Sequence, residues 1–201
     1  MAKRGLNLPT HTVLDVPYRG QQFQPRRWRD DGFDSAEQAI YWSRRSCGVA
    51  CVGMLLDFHN GPGPSLVSLL AQGLALEGYS PRGWIHATLA RMLDSHGVPA
   101  EAMPIRSAEE FVDSVRSGIP FITSVGDEFP TDGNKGGHLV VVTGCTDVGG
   151  ALSAVYFNDP SAWGRSHHTV TAERFFASFT GRVVRPVETV RPADSCALQA
   201  W

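Results

Sequence analysis

Apolar positions recur with a helical period in the first half of the chain and with a strand period in the second. Ser35-Ala36-Glu37-Gln38 matches a capping box and opens a short helix bearing Ile40, Tyr41 and Trp42. Cys47 to Leu56 is an apolar helix rich in small residues, stopped by His59-Asn60-Gly61-Pro62. Helices are predicted over 65–76, 83–95 and 107–117, the last of them amphipathic. Strands follow over 119–125, 138–144 and 154–159, with weaker ones at 169–170 and 182–184 flanking a short helix over 172–179. The run His138 to Gly144 is continuously apolar, as in a buried strand. Ahead of the helices, Leu14-Asp15-Val16-Pro17-Tyr18 alternates like a short edge strand. Residues 21–34 read as a polar surface loop with Trp28 and Phe33 interleaved. Helices first and an antiparallel sheet second predict an α+β fold, a helical half packed on a sheet half with a cleft between them.

The 201 residues suit one domain with a sizeable core. The patterned region spans residues 13–186, between an N-terminal extension over 1–12 and a polar, unpatterned C-terminal tail over 187–201 expected to be flexible. A formal net charge of −2 gives no reason to expect nucleic acid as a partner. The short basic runs Arg26-Arg27, Arg29 and Arg44-Arg45 read as solvated faces. No stretch approaches the roughly 20 apolar residues of a bilayer span, and the N-terminus lacks the apolar run of a secretory signal. The expected setting is therefore cytoplasmic, with the four cysteines reduced. Cys47 and Cys51 stand one helical turn apart, but no second Cys or His pair with ligand spacing follows, so neither a metal nor another cofactor is expected.

Three residues carry candidate chemistry. Cys47 sits where a helix should begin, and a helix N-terminus favours the thiolate. Cys51, one turn in among Val52, Leu55 and Leu56, reads as core. Gly136-Gly137-His138 puts a histidine at the mouth of a buried strand. Asp159 ends the next strand. If the two strands pair antiparallel, His138 and Asp159 meet, and the carboxylate can orient the imidazole. Cysteine, histidine and aspartate in that chain order form a papain-type arrangement.

Ser46-Cys47-Gly48-Val49-Ala50-Cys51, Gly137-His138-Leu139-Val140-Val141-Val142-Thr143-Gly144 and Phe157-Asn158-Asp159-Pro160 resemble the bacteriocin-processing, double-glycine-leader family of cysteine peptidases and its stand-alone relatives. The resemblance covers roughly residues 13–185. It implies a papain-like fold and peptide cleavage by a Cys-His-Asp triad without a metal, while the rich Arg, Ala, Gly and Val usage suggests a bacterial source. It also implies a glutamine upstream of the cysteine that stabilises the oxyanion. The leader-processing members carry that glutamine six residues before the cysteine, where this chain has Tyr41. Other relatives carry it after a Val-Pro-Tyr strand, and Val16-Pro17-Tyr18-Arg19-Gly20-Gln21 matches them. Gln21 is the candidate, with residues 22–45 as an insertion and Gln22, Gln24 and Gln38 as substitutes. Three functions remain open on these residues: a peptidase acting through a thioester acyl-enzyme, an acyltransferase or cyclase using the same acyl-enzyme, and a silent peptide-binding module.

Overall fold

Short polar side chains start most of the helices. The structure, a computed structural model, describes residues 9–148 and 151–187. The expected tail, apart from residue 187, lies outside the described residues, as do residues 1–8 of the expected extension. The elements in chain order are β1 (Pro9–Val13), α1 (Ala36–Ser43), α2 (Cys47–Asn60), α3 (Leu66–Ala75), β2 (Tyr79–Ser80), β3 (Gly83–Trp84), α4 (His86–Ser95) and β4 (Ala100–Pro104). They continue as α5 (Ala108–Arg116), β5 (Phe121–Val125), β6 (His138–Val148), β7 (Ala151–Asn158), β8 (Thr169–Thr171), α6 (Ala172–Ser178) and β9 (Arg182–Pro186). The hydroxyls of Ser35, Ser65, Ser107 and Thr171 accept from the backbone of α1, α3, α5 and α6. Gln38, the far member of the capping box, turns its side chain to Asp34 rather than Ser35. The first residues of α2 and α4 receive no such side-chain cap.

One antiparallel sheet runs β4-β9-β5-β6-β7-β8. β6 organises it. Along one edge β5 pairs with His138–Val142 and β1 with Gly144–Val148, while β7 lines the other edge. The N-terminal strand therefore lies earlier than the alternation at 14–18 predicted. Leu14 adds one further bond to Thr143 O, and the chain then leaves the sheet ahead of Pro17, which has no N–H to give. β4 was not legible, because this edge strand buries no face that would mark it with alternation. The predicted helix over 83–95 begins only at His86, since Gly83 and Trp84 pair back onto Tyr79 and Ser80.

The continuous apolar run in β6 reflects a sheet covered on both faces. Leu139 and Val141 pack with α2, α3 and α4 residues such as Cys51, Leu55, Leu69 and Leu89. Val140 and Val142 point the other way, into a cluster built by Phe111 of α5 and Phe175 of α6. The fold is α+β as expected, a helical half packed on an antiparallel sheet, with α5 and α6 behind the sheet. α2 is buried from Cys47 through Leu56, between the sheet and its neighbouring helices. Among the described residues, no helix is long and apolar enough to cross a membrane.

Candidate active site

The site begins at the N-terminal end of this buried helix. Trp84 pins the turn that leads into α2, its indole Nε1 donating to Arg45 O at 2.6 Å. The same ring is wedged between α2 and α3. A methyl group on Gly48 would stand 2.5 Å from Trp84 Cγ, and one on Gly73 would stand 2.6 Å from Trp84 Cζ3. Gly48 is thus needed for this close approach. Ser46 occupies the cap position, yet its buried hydroxyl finds no partner. The first-turn N–H groups of α2, which have no carbonyl a turn earlier, keep their positive end beside Cys47. Cys47 is buried to 8% exposure. Cys51 behaves as core: its thiol donates to Leu139 O at 3.4 Å. Burial first, and then the neighbouring Cys47 and Asp159, push its pKa well up, so it stays protonated.

His138 reaches the same place from the sheet. Gly136 and Gly137, at φ of 82° and 92°, bring the loop in through left-handed backbone that other residues rarely adopt. β6 and β7 pair so that Val141 faces Asn158, which sets the start of one strand beside the end of the other. His138 Nε2 donates to Asp159 Oδ1 at 2.7 Å, and the backbone N–H of Ser161 donates to that oxygen at 2.8 Å. Cys47 and His138 line the same cleft. Burial pulls the His138 pKa down, but the hydrogen bonds and charges of Asp159 and Cys47 outweigh it and raise the pKa to about 10. Burial pushes the Asp159 carboxyl up, but its bond to His138 prevails and holds it below its ordinary value. A sulfur, an imidazole and a carboxylate from three distant segments thus converge, with Cys47 and His138 facing one cleft of about 100 Å³.

Gln21 is held between the aspartate loop and the turn before α2. Its backbone N–H donates to Pro160 O at 2.8 Å, and its Nε2 donates to Ser43 O at 3.0 Å. The second amide hydrogen is left for another acceptor. The other glutamines are differently placed: Gln22 bonds Pro160 O and Arg165, Gln24 is exposed, and Gln38 serves the start of α1. Residues 22–45 close on themselves, with Phe23 N–H donating to Ser43 Oγ at 2.8 Å. Phe23 and Phe33 meet edge to face at 4.8 Å and are buried in the α2 cluster. The segment predicted as a surface loop is therefore anchored to the core. Sequence reasoning also missed Ser43 and Trp84, whose partners are far away in the chain, and Asn158, whose Nδ2 ties Val16 O at 2.8 Å.

The Peptidase_C39 like family model matches residues 13–182. No curated protein matches the chain. Among solved structures, a C39-like peptidase from Bacillus anthracis superposes with a TM-score of 0.60 at 18% identity, covering 90% of this chain and 98% of that one. The peptidase domain of Streptococcus ComA, a bifunctional ABC transporter in a quorum-sensing pathway, gives 0.53 at 20% identity, covering 72% and 93%. A double-glycine-motif protease from an AMS/PCAT transporter, in complex with the leader peptide, gives 0.52 at 19%, covering 88% and 95%. These likenesses establish the fold, and the match over residues 13–182 shows that the chain belongs to the Peptidase_C39 like family.

Proposed function

We propose that the protein is a cysteine peptidase in which Cys47 is the nucleophile, His138 the general base and acid, Asp159 the residue that positions His138, and Gln21 an oxyanion donor. The observation that carries this reading is the convergence of Cys47, His138 and Asp159 at the uncapped start of α2. The Cys47 sulfur, its proton held on the imidazole, attacks the carbonyl carbon of the scissile bond. The carbonyl oxygen gains the negative charge, which the Gln21 amide and the backbone N–H of Cys47 stabilise. Collapse expels the amine, which takes its proton from His138 and leaves a thioester on Cys47. Water, deprotonated by His138, then attacks the thioester, releasing the acid and restoring the thiol. The relative solved with a leader peptide favours a peptide as substrate.

Alkylation tests the reading directly. Iodoacetamide should label Cys47 much faster than Cys51, Cys145 or Cys196, and Cys47→Ala should abolish turnover of any cleaved peptide. Equal labelling of all four thiols would overturn the assignment. Product masses with and without added amine separate hydrolysis from acyl transfer.

A further inference from the structure

The cleft holding Cys47 and His138 continues past Trp84 and His86 into a trough of about 840 Å³ that runs over β4 and β9. Its polar lining has one sign. Arg44 and Arg45 stand at the cleft, Arg82 borders both spaces, and Lys135 and Arg182 stand in the trough. Five of the chain's eighteen Lys and Arg residues thus border this surface, and among the described residues no Asp or Glu does. Chance placement in a chain of net charge −2 does not favour that segregation. Among the described residues, none of the five forms an ion pair with a carboxylate. Arg45 bonds the Tyr41 carbonyl and lies over the Tyr41 ring at 3.8 Å, and Lys135 bonds the Phe176 carbonyl. The nearest acid on β4, Glu101, borders a separate depression.

Two further features point the same way. α2 and α4 are the helices whose N-termini carry no side-chain cap, and both open here, at Cys47 and at His86. Their unpaired N–H groups add positive potential. His86 Nε2 is buried without a hydrogen-bond partner at the junction of the two spaces. Burial, then the Arg182 charge, pushes the His86 pKa down.

We infer that the substrate is an acidic peptide, bound with Asp or Glu side chains next to the scissile bond lying in this trough. The inference rests on the peptidase reading above. Guanidinium groups without a carboxylate partner, such as those of Arg82 and Arg182, take carboxylates in paired hydrogen bonds, and the one-signed field draws the peptide in and sets its direction.

Two affinity labels test this without knowledge of the natural substrate: iodoacetyl-Gly-Glu-Glu amide and iodoacetyl-Gly-Gln-Gln amide. In each the Cys47 sulfur displaces iodide from the acetyl methylene to form a thioether, and the tail lies along the surface beside the thiol. Rates are divided by those with free cysteine. The Glu reagent should label Cys47 about tenfold faster than the Gln reagent, within the range that charge steering gives. The preference should vanish at about 1 M salt, where the Debye length is roughly 3 Å. It should also shrink in Arg82→Gln and Arg182→Gln, read as the ratio of the two reagents so that general loss of reactivity cancels. Equal rates in wild type at low salt would overturn the inference while leaving the peptidase reading intact. Failure of both reagents to single out Cys47 would overturn both.

Discussion

Gln21 and Asp159 test different parts of the site. The Gln21 amide touches neither His138 nor Asp159 through any hydrogen bond found among the described residues, and instead leans on Ser43. Gln21→Ala should therefore lower kcat by about 100- to 1000-fold, the usual cost of one oxyanion donor. The rate of Cys47 alkylation, which builds no oxyanion, should barely change. Asp159→Asn acts on the proton instead. Loss of the carboxylate should drop the His138 pKa by about 1 to 3 units, and the alkaline limb of the reactivity–pH profile should move down with it. The pair also links stability to pH. The raised His138 pKa contributes fully below its unfolded value near 6.5, fades as pH rises, and is lost above about 10. The lowered Asp159 pKa contributes above its unfolded value near 3.9 and is lost as pH falls through the folded value. The gap in thermal midpoint between wild type and Asp159→Asn should be widest near about pH 5 to 6 and should close at both extremes. A gap that ignores pH would mean the pair does not hold its proton.

At the scale of elements, the position of Cys47 depends on how α2 is seated. Trp84 holds the turn at Arg45 and fills the space that Gly48 and Gly73 leave. Gly48→Ala must displace that ring, and should cost about 1–3 kcal/mol in urea unfolding. Cys47 alkylation should slow with it, because the turn would lose its anchor. Much of this was written in the sequence. Cys47 at a helix start, and His138 and Asp159 at the facing ends of successive strands, are local patterns joined by one pairing rule. The rest was not. β4 has no apolar alternation because it lies at the sheet edge with mostly exposed side chains. Phe23 and Phe33 lie in a segment with no period, so nothing in the spacing announces that they turn inward. Trp84 was assigned to a helix because a two-residue hairpin is too short to leave a rhythm.

At the scale of the whole molecule, the sheet divides the core in two. Phe111 sits behind it, meeting the rings of Phe121 at 5.5 Å and Phe175 at 5.1 Å, on the face opposite α2. Phe111→Ala should cost about 3–5 kcal/mol of stability, yet well below its thermal midpoint the variant should keep the wild-type rate of Cys47 labelling. A matching loss of labelling would show that the two faces are coupled. The closed insertion bears on a different matter, how this architecture tolerates change. Phe23 and Ser43 are joined at its neck, and Gln21 bonds the same Ser43. Gln21 therefore reaches the segment before α2 across the neck and not along the contour of the chain. On the proposed reading of Gln21 and Cys47, lengthening or trimming the chain beyond that neck would leave the pair in place, so sequences with very different spacing between glutamine and cysteine could present the same two groups to a substrate.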